Sequence, residues 1–273
     1  MDAGAAFGAI ARACLEHYEA NRPGILAGED PEYLHQGRVA LRRLRTALGL
    51  FGPVLEPRAR RALRRDLRAR LRKLAPARDW DVFVAFTLAP ALAAAPGDAA
   101  LGKLVRRSRR FRQRAWESAQ RATAAWPASR LEHALGALAP LPQSVRVPAR
   151  RHARDVLARC VRRVRRRGKG IGRLDAAGLH RLRLAVKRTR YALHYFAPLF
   201  RPRRVGPMRE ALESLQRALG GANDCAVAAV LLRELGAAPR SVLARRNAAK
   251  LAAHRKELRA AWRAFRAARQ AWE

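Results

Sequence analysis

Residues 34–55 read LHQGRVALRRLRTALGLFGPVL, and residues 179–200 read LHRLRLAVKRTRYALHYFAPLF. Each stretch begins with Leu-His, places Arg three residues later, runs through a basic cluster and closes on Phe-x-Pro. His180 lies 145 residues after His35, and the same offset relates Arg183 to Arg38 and Pro198 to Pro53. It continues without a gap, pairing Pro57 with Pro202, Arg64 with Arg209, Leu67 with Leu212, Arg72 with Arg217, Leu74 with Leu219 and Asp79 with Asp224. A fixed internal period means that one structural unit has been used twice.

The period within each stretch is helical. At about 100° per residue, Leu34, Leu41, Leu44, Leu48 and Phe51 share one side, the spacing of a helix lying on a core. His35, Arg38, Arg42 and Arg45 fall within an arc of about 80° on the other side. In the second copy that arc holds His180, Arg183, Lys187 and Arg190. A solvated helix face ordinarily mixes signs, because like charges one turn apart repel. These two faces carry no carboxylate, and both copies keep the charge at the same positions.

Composition points the same way. The chain has 273 residues, with 58 Lys plus Arg against 21 Asp plus Glu, a formal net charge of +37. The lysines are only those at 73, 103, 169, 187, 250 and 256, so nearly all the positive charge is guanidinium. A GC-rich genome can raise arginine and alanine together, but it does not thin out the acids. A compact chain with this charge repels itself unless a polyanion neutralises it. The partner expected is therefore nucleic acid, an anionic surface or a phosphate polymer. Arginine suits phosphate because its planar fork donates two parallel hydrogen bonds and stays charged.

Cys14, Cys160 and Cys225 are far apart and odd in number, with no metal-ligand spacing, so they read as reduced core residues of a cytoplasmic protein. The start, MDAGAAFGAI, lacks the basic and long apolar regions of a secretory signal. The longest uncharged run, Val82 to Gly97, is shorter than the ~18 residues of a membrane span and contains Pro90 and Pro96.

In chain order, a helix is expected from Asp2 to Ala20, broken by Asn21-Arg22-Pro23-Gly24. Glu29, Asp30 and Glu32 with Pro31 form an acidic helix start. The first signature helix stops near Gly52-Pro53. Pro57 opens another, to about Leu74, with Arg60, Arg61, Arg64, Arg65, Arg68 and Arg72 exposed, and Pro76 ends it. Ala77-Arg78-Asp79 starts a fourth, with Asp79 as a cap or first-turn acid, running to about Ala89. Pro90 to Gly97 reads as a loop or a frayed helix end. A long helix from Asp98 to Trp126 turns Leu101, Leu104, Phe111, Ala115 and Trp116 inward. Residues 127–148, with Pro127, Pro140, Pro142 and Pro148, read as a linker holding a short helix from Ser129 to Ala139.

The second half repeats the order. A basic helix covers Ala149 to Arg167, and Gly168 to Gly172 is a connector without Walker spacing. The second signature helix ends at Ala197-Pro198. Gly220-Gly221 break the next helix, and Asn223-Asp224 restart it. Ala238 to Trp272 matches the first long helix with a register slip of one residue. Trp116, Trp126, Trp262 and Trp272 read as core or edge aromatics rather than base-stacking platforms. No β pattern is visible, so the fold class expected is all-α: two antiparallel four-helix bundles, residues 1–126 and 149–273, joined by the linker.

The motifs are His35-x-x-Arg38-Val39-x-x-Arg42-Arg43-Leu44-Arg45 and Leu71-x-x-Leu74-x-x-x-Arg78-Asp79-x-Asp81-Val82, with His180-x-x-Arg183-x-x-x-Lys187-Arg188-x-Arg190-Tyr191 and Leu215-x-x-x-Leu219-x-x-x-Asn223-Asp224 as their second versions. Together they resemble the CHAD domain, the conserved histidine α-helical domain, over almost the whole chain. The resemblance implies two pseudo-symmetric four-helix bundles around a basic groove or pore that binds inorganic polyphosphate without catalysis. It also implies a stand-alone member, since the Glu-x-Glu-x-Lys mark of the CYTH domain fused to some members is missing. Thr189 stands where the family usually has leucine, a departure that bears on packing.

Carried over residue by residue, the binding candidates are His35, Arg38, Arg42, Arg43 and Arg45, then His180, Arg183, Lys187, Arg188 and Arg190, with Arg72 and Arg217 as weaker additions. Packing the two units face to face would line one cavity with both stripes. A cationic line holds a chain with about one negative charge per phosphate and releases its counterions. His35 and His180 either donate to phosphate, more strongly when protonated, or hydrogen-bond a neighbouring helix. Neither has a nucleophile or paired carboxylate at a useful spacing, so no catalytic residue is expected. No metal or cofactor is expected either; Asp79 and Asp224 read as caps. Nucleic-acid binding is the alternative, without a helix-turn-helix, zinc or RNP signature to support it. Targeting to polyphosphate granules, storage and regulation are all open as the purpose of binding.

Overall fold

The computed structural model describes residues 1–28, 30–138 and 147–268, and within them the chain is all-helical, with no β-strand. The only bridge between extended segments there is a single one from Asp2 to Pro148. By its contacts the chain divides into two compact units. Unit 1 comprises Met1–Ala85 and Ala99–Ala149, and unit 2 comprises Phe86–Asp98 and Arg150–Glu273. No helix among the described residues is long and apolar enough to cross a membrane.

Unit 1 is built from α1 (Ala3–Ala27), α2 (Pro31–Leu50), α3 (Pro57–Lys73), α4 (Ala75–Phe83), then α6 (Ala99–Ala124) and α7 (Ala128–Gly136). Between α4 and α6 the chain passes through a π-helical turn, Val84–Leu88, and α5 (Ala89–Ala94). Within the unit α2 packs on α1, α3 and α4, and α6 packs on α1, α3 and α4. Leu34, Leu41, Leu44, Leu48 and Phe51 are all fully buried, so the apolar stripe of α2 faces this core as its period requires. Of the residues expected inward on α6, Leu101 and Trp116 are buried, while Leu104, Phe111 and Ala115 are half-buried.

Unit 2 is built from α5 together with α8 (Ala149–Arg167), α9 (Ala176–Phe196), α10 (Pro202–Glu234) and α11 (Val242–Ala267). The duplication is visible in the local chemistry. Asp30 caps α2 by accepting from the Glu32 N–H, and Asp175, 145 residues on, caps α9 by accepting from the Gly178 N–H. Both Phe-x-Pro motifs end their helices in a 3-10 turn, Gly52–Val54 and Ala197–Leu199. Pro57 and Pro202 then open α3 and α10, where a missing N–H costs no helical bond. Thr189 is fully buried and its hydroxyl donates to the Ala185 carbonyl at 2.9 Å, so the departure from leucine is absorbed inside α9.

Four local expectations are corrected. First, α1 does not break at Asn21 to Gly24; it runs to Ala27 with Pro23 inside it and ends at Gly28, in the left-handed region at φ 75°. Gly24 is needed there for closeness, since a Cβ would lie 2.2 Å from the Tyr33 ring. Second, α10 does not break at Gly220-Gly221. A Cβ on Gly221 would lie 2.3 Å from the imidazole of His254 on α11, so the glycine admits a neighbour rather than ending a helix. Third, Pro90 to Gly97 is not all loop, because α5 occupies Ala89–Ala94. Fourth, Asp79 and Asp224 are not caps: α4 begins at Ala75 with no first-turn acid, and Asp224 lies inside α10. Glu29, Ala139, Pro140, Pro142 and Trp272 lie outside the described residues.

Candidate functional site

In unit 1 the cationic face of α2 meets cations from α3 and α4. His35 is half-buried, and its imidazole pKa is held below the ordinary value, first by burial and next by the Arg78 guanidinium. Arg42 and Arg38 push in the same direction, and Glu32 opposes them. Arg45 is also half-buried, and burial with the repulsion of Arg68 and Arg42 lowers its pKa. His35, Arg42, Arg45, Arg68 and Arg78 thus form one electropositive face drawn from three helices. Arg68 was visible as part of an arginine stripe, and Arg78 as part of the second motif, but neither stood among the expected binding residues.

Arg38 is placed differently. Its Nη1 donates to the main-chain carbonyl of Leu71 at 3.0 Å, in the last turn of α3. Burial is the main cause of its pKa being lowered to about 10, with Asp79 opposing and Arg42 and Arg78 assisting. It remains a cation at neutral pH, but it holds α2 against the end of α3. Asp79, expected as a cap, instead supplies a carboxylate that favours the charged form of Arg38.

In unit 2 the equivalent face of α9 is thinner. His180 is exposed, and Arg183, Lys187 and Arg190 are half-buried. Arg188 hydrogen-bonds Cys160 of α8, whose thiol burial pushes up and Arg188 pulls back. That pairing turns Arg188 towards the helix packing. Arg72 and Arg217 are both exposed, and Arg43 is half-buried. The residues 145 after Arg68 and Arg78 are Glu213 and Asn223, so the second copy replaces one cation by an acid and another by an amide. On this duplicated face, the positive charge is the denser in unit 1.

Asp81 of α4 belongs to the Leu71 to Val82 motif. It is 6% exposed, and its Oδ1 accepts from Arg112 Nε at 2.7 Å and from Trp116 Nε1 at 3.0 Å. This anchors α4 to α6. Arg70 of α3 donates to the Ala122 carbonyl of α6 at 2.9 Å and lies over the Trp126 ring. All three cysteines are free and buried, and Trp116, Trp126 and Trp262 are buried. Among the described residues no group of three or more His, Cys, Asp or Glu side chains gathers at metal-binding distance.

The CHAD domain model matches residues 9–233. A search of curated proteins gives no significant match. Among solved structures, the CHAD domain from the plant Ricinus communis is 31% identical, with a TM-score of 0.76 over 98% of this chain and 94% of that one. PptA from Streptomyces chartreusis shares the fold at 19% identity, with a TM-score of 0.70 over 98% of this chain and 99% of its own. The doubled signature helix, the family match and the plant structure agree, and this chain belongs to the CHAD domain family.

Proposed function

We propose that this chain binds inorganic polyphosphate on the cationic faces of α2 and α9, as a binding module that performs no chemistry on it. The observation that carries this is the crowding on unit 1. His35, Arg42, Arg45 and Arg78 are half-buried beside the exposed Arg68, and they repel one another with little acid to offset it. Such an arrangement is relieved by a multivalent anion, and each phosphate engaged releases counterions. Arginine forks give the phosphate oxygens paired, charge-assisted hydrogen bonds. His35 adds a donor that becomes a cation when the anion arrives. The setting that fits is the cytoplasm, with polyphosphate granules as the place of association.

The test is a calorimetric titration with long-chain polyphosphate at several salt concentrations, for the wild type and for Arg42→Glu with Lys187→Glu. The double variant should keep its helical circular dichroism and bind at least ten-fold more weakly with a shallower salt slope. Unchanged affinity would place binding on another surface. Competition decides against nucleic acid: polyphosphate should displace labelled DNA at matched salt, and failure to do so would reverse the assignment. Incubation with polyphosphate and magnesium should leave chain length unchanged; shortening would show an enzyme.

A further inference from the structure

Unit 2 carries a second concentration of positive charge, away from the duplicated motif. Arg165 and Arg166 from the last turn of α8, Lys169 and Gly170 from the following turn, and Trp262 and Arg266 from α11 line a half-open cleft of about 520 Å3. We propose that this cleft, whose lining includes no residue of the α2 or α9 faces, is an oligophosphate site taking a compact anion with a triphosphate chain. Its existence does not depend on what those faces bind.

Three observations support a built site rather than a run of surface arginines. The cleft is shaped by fixed parts. Gly168 lies against Trp262 so closely that a Cβ would come within 2.2 Å of the indole. Gly170 turns the chain back at φ 68°, where glycine is the favoured residue. The volume falls in the range of small-molecule pockets, about 300–1,000 Å3.

The charge is also particular to this unit. The matching stretch of unit 1, residues 19–25, reads EANRPGI, one cation with one acid. At the one-residue slip of the long helices, Arg266 matches the neutral Gln120. Trp116 of unit 1 gives its indole N–H to Asp81, but the residue 145 after Asp81 is Ala226. Trp262 is therefore not held by that anchor, and it forms a wall of the cleft instead.

Helix dipoles do not account for the cations. Arginine in a last turn complements a helix C-terminus of about half a negative charge. Two such ends offset about one unit of the four, and the Gly168 N–H already meets the Val164 carbonyl at 2.9 Å. The surplus of about three positive charges offsets most of the charge of inorganic tripolyphosphate, which carries about one on its inner phosphate and about 1.5–2 on each terminal one near neutral pH. Three guanidinium forks and one ammonium supply directional donors for its oxygens.

The test titrates inorganic tripolyphosphate, and separately ATP, into the full chain by calorimetry. It uses the wild type, Arg42→Glu with Lys187→Glu, and Arg166→Glu with Lys169→Glu. Tripolyphosphate should still bind the first variant, and bind the second at least ten-fold more weakly. Equal binding by the wild type and the second variant would overturn the site. If that variant loses helical signal, Arg266→Ala at the exposed end of α11 serves in its place, with at least a three-fold loss expected and none overturning the proposal. ATP binding as tightly as tripolyphosphate supports the site and assigns it to nucleotides; ATP failing while tripolyphosphate binds supports it for the inorganic chain. Loss of long-chain binding in the first variant alone speaks only to the α2 and α9 faces.

Discussion

Arg38 donates through Nη1 to the carbonyl of Leu71 at 3.0 Å, so one of the motif's arginines spends a hydrogen bond on joining α2 to α3. The carbonyls of a last helical turn lack the intrahelical partners available further back, and a guanidinium is well suited to meet one. A hydrogen bond from a charged donor contributes about 1.5–3 kcal/mol.

Arg38→Ala should therefore reduce both stability and polyphosphate affinity. Urea unfolding followed by circular dichroism should show a loss of about 1.5–3 kcal/mol in unit 1. Arg42→Ala, half-buried on the cationic face, should stay within about 0.5 kcal/mol of wild type while weakening binding. Equal stability of the two variants would mean that the Leu71 contact contributes nothing. Arg38→Lys should restore the charge without the fork, recovering affinity more than stability.

His35 should couple both stability and binding to pH. Burial and Arg78 depress its folded pKa below the ordinary value of 6.5. Between the folded and unfolded values the unfolded chain holds more protons, so stability rises with pH there. The contribution is fully present above about 6.5 and is lost as pH falls through the folded value. A bound polyanion reverses the local field and raises the pKa, so binding should take up a proton and strengthen as pH falls below neutrality. Titrations in buffers of different ionisation enthalpy measure that uptake, and His35→Asn should reduce it. Identical proton uptake in wild type and variant would remove His35 from the binding face.

The parts of the fold set by local period and punctuation were legible in the sequence. The apolar stripe of α2, the acidic start at Asp30 and Glu32 and both Phe-x-Pro stops follow from rules that act within a turn or two. What failed depended on neighbours distant in sequence. Gly220 and Gly221 signal a break because glycine costs about 1 kcal/mol in a helix, but the approach of His254 makes Gly221 a packing residue. Pro23 is overruled in the same way by the packing of Gly24 on Tyr33. For the site, helical period sorts side chains by direction, and the two exceptions are instructive. Arg38 and Arg188 carry the family signature, but one bonds Leu71 and the other Cys160 across a helix pair. Arg78 joins the cationic face from α4, a contact that only the packing of α4 on α2 creates.

Asp81 is the carboxylate whose loss should be felt most. Its Oδ1 is shared by Arg112, which is partly exposed, and by Trp116, which is buried. In Asp81→Ala the arginine can turn to water, but the indole N–H is left without its acceptor. The expected cost is about 1–3 kcal/mol, read from chemical unfolding. Asp81→Asn keeps an acceptor oxygen and should lose less. If the alanine variant matched wild type, α4 would be held to α6 by apolar contact alone.

Two glycine substitutions should act in opposite directions. In Gly168→Ala the new methyl would sit 2.2 Å from Cη2 of Trp262 and 2.3 Å from Cζ3. Trp262 is only 9% exposed and stacks on Phe265, so its ring has little room to retreat. Overpacking of this kind costs about 1–3 kcal/mol, and displacing the indole should also weaken tripolyphosphate binding at the cleft it lines. In Gly102→Ala, within α6, the nearest neighbour is the terminal Nη1 of Arg106 at 3.5 Å, an ordinary contact with a flexible arm. The backbone there is helical, so the alanine should stabilise by about 0.5–1 kcal/mol through the entropy it removes from the unfolded chain. Parallel urea titrations with tryptophan fluorescence for the two variants measure both signs. A stabilised Gly168→Ala would show that Trp262 is free to move, and that the wall of the cleft is not fixed.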